Sequence, residues 1–114
     1  MDKLKKDNYI VLIPEGRIDS SNAHIFEQEI STEVDAFTGD VLISFEKIEY
    51  ISSAGLRVLL VIFKKMKEVN RKLFIAGMNE NIFKVFSSSG FSKILNIFQS
   101  LEEAYKAMWY LKSF

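Results

Sequence analysis

Two adjacent serines, Ser52 and Ser53, stand between an extended run, Tyr50-Ile51, and a helical pattern that opens at Ala54-Gly55-Leu56. Hydroxyls in that place do one of two things. One of them caps the helix by accepting a hydrogen bond from a first-turn N–H, or one carries a phosphate. The free N–H groups and the dipole of a helix start favour such a charge. Spacing alone leaves both open. Gly55 has no side chain, so a partner backbone could approach the first turn closely. Upstream, Asp19 sits in a polar cluster with Ser20, Ser21 and Asn22. It either faces a partner or closes an Asx turn ahead of the next helix.

Other chemistry is poorly supplied. Serine catalysis needs a histidine within reach, oriented by a carboxylate. The one histidine, His24, lies in the first turn of a predicted helix between Ala23 and Ile25 and is expected to face solvent or a partner. With no cysteine, metal ligands reduce to carboxylates, and Glu27, Glu29 and Glu33 read as a solvated helix face. The five glycines, Gly16, Gly39, Gly55, Gly77 and Gly90, are isolated, so no phosphate-cradling loop is formed. No enzymatic activity, metal or cofactor is expected.

The elements that must position the serines follow from periodicity. Tyr9–Ile13 is a short apolar strand ended by Pro14, with Gly16 as a break before Arg17 and Ile18. The cluster at 19–22 supplies N-caps for a helix with Phe26, Ile30 and Val34 on its inner face, stopped by Thr38-Gly39-Asp40. Val41–Phe45 has the composition of a strand buried on both faces. Ile48, Tyr50 and Ile51 form another extended stretch, and Leu56, Leu59, Leu60, Phe63 and Met66 then mark a long helix closing near Asn70. The basic stretch Lys64 to Lys72 reads as that helix's polar side. Leu73–Ala76 is a buried strand. Asn79 caps a helix with Ile82, Phe83 and Phe86, and Gly90 stops it. Ile94–Phe98 is a last strand. Ser100-Leu101-Glu102-Glu103 forms a capping box, and Leu101, Ala104, Tyr105, Met108 and Leu111 give the final helix its inner face. Strands separated by helices imply parallel crossovers, so the expectation is one α/β domain over residues 1–114. Its central mixed sheet should hold about four to five strands, with four helices, and the first strands pairing antiparallel at one edge.

Composition narrows the partners. Fifteen basic and fifteen acidic residues cancel, so the global positive field of a dedicated nucleic-acid binder is missing. The longest apolar run, Val58 to Phe63, is far too short for a membrane span. Met1 to Asp7 is mostly charged and has no apolar run, so no signal peptide is expected. A cytoplasmic protein is the expectation.

The run Tyr50-Ile51-Ser52-Ser53-Ala54-Gly55-Leu56-Arg57-Val58-Leu59-Leu60 resembles the motif of STAS domains, and in particular of bacterial anti-sigma factor antagonists. Gly16-Arg17-Ile18-Asp19 resembles the family's upstream Gly-x-Leu/Ile-Asp element, one helix and one strand before the motif. The resemblance implies a partner switch. The unphosphorylated antagonist binds an anti-sigma factor that is a serine kinase and so releases a sigma factor; the kinase then phosphorylates the antagonist, and a phosphatase resets it. It implies Ser53 as the acceptor, two residues before Gly55. Asp19, Ser20, Ser21, Ser52, Ala54, Gly55, Leu56 and Arg57 are then expected on the partner-binding surface. Many phosphorylated members carry Asp immediately before the acceptor. Ser52 stands there in this chain, which removes a local repulsion toward phosphate and makes Ser52 the alternative acceptor. A different function implied by the same resemblance is a STAS module that senses a small ligand, a nucleotide or lipid, or scaffolds a signalling complex.

Overall fold

Pro14 splits the architecture in two. It has no N–H to give to a ladder, and at this buried residue the chain leaves one sheet and starts another. The computed structural model describes residues 1–112. Its main sheet has the order β1 (Asp2–Lys5), β2 (Tyr9–Ile13), β4 (Asp40–Ser44), β6 (Leu73–Ala76) and β7 (Asn96–Phe98). The strands β3 (Glu15–Ile18) and β5 (Lys47–Ile51) form a separate parallel ribbon. Four helices complete the fold: α1 (Ala23–Asp35), α2 (Ser53–Glu68), α3 (Glu80–Ser88) and α4 (Leu101–Lys112).

Strands β2, β4, β6 and β7 pair in parallel, so each return passes through a helix, as expected from the sequence. Antiparallel pairing does occur at one edge, but through a strand not foreseen, β1 against β2. Its sequence, Asp-Lys-Leu-Lys, carries no buried residue, so hydrophobicity gave no signal. The charges suit an edge, where they discourage pairing with another chain. Lys3 is tied to Glu33 of α1 at 2.8 Å.

The two faces of the main sheet are covered differently. Ile10, Leu12, Val41, Ile43, Leu73 and Ile75 point into a core shared with Phe26, Ile30 and Val34 of α1, Leu59, Ile62 and Met66 of α2, and Ile82 and Phe86 of α3. The alternate residues Val11, Leu42, Phe74 and Ala76 meet only Ala104 and Met108 of α4, with Tyr9, Ile13, Phe98, Leu101 and Tyr105 packed around them. Burial of β4 on both faces matches its sequence pattern. Leu111 does not join this core: it is 46% exposed. The last strand is also shorter than expected, since Phe91–Lys93 forms a 3-10 turn ahead of Asn96.

The C-terminal ends of two helices are closed by specific groups. Asn70 adopts φ 58° after α2, the left-handed stop that asparagine tolerates. Arg71 does not extend a basic patch but turns inward. Its Nε donates to the Gly39 carbonyl at 2.8 Å and its Nη1 to the Val34 carbonyl at 3.0 Å, closing the end of α1. Lys64, Lys65, Lys67 and Glu68 are exposed on α2, as its periodicity implies. Replacing Arg71 by alanine is expected to lower the unfolding free energy by about 2 kcal/mol, the scale of losing hydrogen bonds from a charged donor. Lysine should restore only part of it. Urea titration of both variants checks this.

Candidate functional site

The ribbon of β3 and β5 delivers the two polar segments to one place. Ile18 pairs with Ile51, and the Ser52 N–H then donates to the Ile18 carbonyl at 2.8 Å, extending the ladder by one rung. Asp19 and Ser52 therefore leave the ribbon side by side. A register shift next to Gly16 makes Arg17 the partner of Tyr50. The Arg17 guanidinium lies over the Tyr50 ring at 4.5 Å, on the outer side of the ribbon, where Tyr50 is 41% exposed. Such a pairing is favourable even in contact with water. From the sequence, Tyr50 is placed in an extended stretch at the head of the motif, with no partner foreseen for it. The available signal was alternation: Ile18 and Ile51 point inward, so Arg17 and Tyr50 point out.

The two serines occupy different positions at the start of α2. Ser52 is the N-cap of α2: its Oγ accepts from the Gly55 N–H at 3.3 Å, and its carbonyl accepts the first helical bond from Leu56 at 3.0 Å. Ser53 is the first helical residue and is exposed. The first turn of α2 has no acidic residue, while Lys65 and Lys67 stand in the last, so the positive end of the helix is not neutralised from within its own first turn. Arg57 is exposed one turn after Ser53, at the i,i+4 spacing that places two side chains on one helix face.

Gly55 and Leu56 lie beneath this surface rather than on it. A Cβ on Gly55 would stand 2.7 Å from Ile51 Cγ1 and 2.8 Å from Ile18 Cγ2. The glycine is needed for packing of the helix on the ribbon, which corrects the expectation that it admits a partner's backbone. Leu56, 5% exposed, is a core residue. Ala54 and Ser52 are half-buried, and Ser20, Ser21 and Arg57 are exposed.

Asp19 closes its own turn. Its Oδ1 accepts from the Ser21 hydroxyl at 2.6 Å and from the Ser21 N–H at 3.0 Å. Asn22 was expected among the helix caps, yet its side chain makes no cap bond to α1. It braces the turn instead, accepting from the Asp19 N–H at 2.9 Å and donating to the Arg17 carbonyl at 2.8 Å. The Ser21 hydroxyl, then the Ser21 N–H, holds the Asp19 carboxyl below its ordinary range, with Arg17 a smaller contributor. His24 is exposed. Among the described residues no group of three or more His, Cys, Asp or Glu side chains could hold a metal ion, and no helix is long and apolar enough to cross a membrane.

The mixed sheet, the serine N-cap with an exposed serine beside it, and the adjoining Asp turn belong to a known family of domains. A model of the STAS domain matches residues 1–104, and the chain belongs to that family. The protein named anti-sigma factor antagonist BtrV from Bordetella bronchiseptica is 34% identical over 104 residues, spanning 91% of this chain and 88% of the relative. The crystal structure of an anti-sigma factor antagonist from Thermotoga maritima superposes with a TM-score of 0.84 at 21% identity, covering 93% of this chain and 92% of that one. The Bacillus cell fate determinant SpoIIAA, solved in its phosphorylated form, gives 0.66 at 19% identity over 92% and 95% of the two chains. The fold expected from the sequence, one α/β domain with a mixed sheet and four helices, is the fold observed.

Two measurements test the site's construction. Gly55→Ala should cost about 1–3 kcal/mol in urea unfolding, the range for overpacking a filled contact; an unchanged midpoint would remove the close-approach constraint. Asp19 should titrate below an ordinary aspartate in NMR, and Ser21→Ala should move it upward. The sign follows from the lowered folded value. The contribution of Asp19 to stability is complete above the ordinary carboxylate value and disappears as pH falls through the folded one.

Proposed function

We propose that this chain is a phosphorylation-switched anti-sigma factor antagonist, acting as the substrate of a kinase and not as an enzyme. In its unphosphorylated form the surface formed by Asp19, Ser20, Ser21, Ala54 and Arg57, with the Arg17–Tyr50 pair at its edge, binds an anti-sigma factor serine kinase. That binding releases a sigma factor. The kinase transfers phosphate to Ser53, the complex dissociates, and a phosphatase restores the hydroxyl. The working compartment is the cytoplasm, and the whole of residues 1–114 acts as one STAS domain.

The observation that carries this reading is the division of labour between the two serines. Ser52 is held by its cap bond, while Ser53 presents an exposed hydroxyl at a helix start that lacks acidic neighbours in its first turn. The family membership and the relatives named as anti-sigma factor antagonists support the role.

Incubation with a cognate anti-sigma kinase and ATP should add one phosphate to the intact mass and weaken binding at least tenfold, equivalent to about 1.4 kcal/mol. Ser53→Ala should block the modification and keep the fold. Ser52→Ala should still be modified, at a cost of about 1 kcal/mol for the lost cap. Modification of Ser53→Ala would move the acceptor to Ser52. A chain that neither binds the kinase nor accepts phosphate would overturn the proposal.

A further inference from the structure

The sheet face covered by α4 is only partly covered. Leu4 of β1 stands opposite Val11 of β2, so both side chains lie on that face. Val11 is buried under the helix, but Leu4 is 51% exposed and Trp109 of α4 is 72% exposed. Between them runs a groove of about 620 Å³, lined by Leu4, Lys6, Asn8, Tyr9, Tyr105, Met108 and Trp109. None of these residues belongs to the candidate site around Ser53.

The groove's lining indicates what it would hold. Its volume lies within the range of small-molecule sites, about 300–1,000 Å³. Three of the seven lining residues are aromatic, and the Tyr9 and Tyr105 rings stand 6.3 Å apart in a tilted pair. A planar ring would find aromatic faces and edges there at favourable spacings, with Met108 as an adaptable floor. Lys6 is the one charged residue of the lining, and it holds no ion pair among the described residues. Burial, with smaller pushes from Tyr9 and Glu46, raises the Tyr105 phenol above its ordinary value, so it stays a protonated donor. An apolar aromatic channel with a single cation and a neutral hydroxyl complements a flat ring bearing one negative charge.

A second copy adding to the sheet at β1 is a poorer occupant. Pairing through the exposed edge of β1 in an antiparallel sheet sets residues of the same face opposite one another. With Lys3 and Lys5 on one face of β1, any such register juxtaposes like charges.

We propose that the groove between β1 and α4 is a binding site for an amphipathic aromatic carboxylate. The site is independent of the switch at Ser53, so its failure would leave that reading untouched. Trp109 is the chain's one tryptophan, and its indole N–H resonance reports directly on the groove. Titration of the ¹⁵N-labelled chain with 2-naphthoate should shift that resonance saturably, together with the amides of Leu4, Lys6 and Tyr105. Lys6→Gln, a change at an exposed turn, should weaken binding about tenfold, and 2-naphthylmethylammonium should bind at least as much more weakly than the carboxylate. No saturable shift, equal affinity for the cation, or an unaffected Lys6→Gln variant would overturn the proposal. Tighter binding of decanoate would replace the aromatic ligand with an aliphatic one. Sedimentation showing a dimer abolished by Trp109→Ala would assign the face to a second copy instead.

Discussion

The close approach of α2 to the β3–β5 ribbon is the contact on which the candidate site depends. Gly55 lies against Ile51 and Ile18 with no room for a methyl group. Those two isoleucines are partners in the ribbon, and the Ser52 N–H continues their ladder onto the Ile18 carbonyl. One contact therefore fixes three things together: the register of the ribbon, the entry angle of the helix, and the proximity of the Asp19 turn to the serines. A shift of α2 by even a methyl's width would disturb the rung that joins Ser52 to Ile18. Packed interiors tolerate such shifts poorly.

The polar groups above that contact are organised to leave one hydroxyl uncommitted to the cap. Ser52 spends its oxygen on the Gly55 N–H, and Ser21 spends its hydroxyl and N–H on Asp19. Asp19 is thereby held ionised by its own turn, with Asn22 bracing the backbone on both sides of it. The carboxylate is a fixed negative charge, not a titrating one, near neutral pH. Beside it the helix start supplies a partial positive charge with no acidic side chain in the first turn to cancel it. A negative carboxylate and the positive end of a helix thus lie side by side at the end of the ribbon.

Most of the fold was legible because its cues are local. Pro14, the alternation in β2, β4 and β6, and the helical stripes of α1 and α2 each act within a few residues of themselves. What escaped needed long-range information. Strand β1 carries no buried residue and exists only because β2 offers an edge. Leu111 obeys the period of α4 but remains 46% exposed, which periodicity alone cannot foresee. Arg71 looks like one more surface cation until the carbonyls of Val34 and Gly39, more than thirty residues away in sequence, fold against it. At the site, the sequence marked the serines and Asp19. It could not divide cap from exposed hydroxyl, since both serines suit either role. Gly55 was singled out for the right property, the absence of a side chain, and assigned to the wrong neighbour. The space it vacates is filled by Ile18 and Ile51 of the same chain.

On the proposed switch, the same geometry decides where a phosphate would act. A phosphoryl group on Ser53 adds about −1.5 to −2 charges near neutral pH. The end of α2 would receive that charge favourably, by about 0.3–1 kcal/mol at an exposed helix start. Asp19 opposes it, but across a solvated surface, where such repulsion is screened over about 8 Å at physiological ionic strength. The domain's own energy therefore changes little. A docked partner alters the balance, because it excludes the water that does the screening and brings its own groups against the phosphate. Like-charge juxtaposition there costs several kcal/mol, against less than one within the free domain. On this reading the free-energy change falls chiefly on the complex, since the seat beneath Ser53 is already closely packed by Gly55, Ile18 and Ile51.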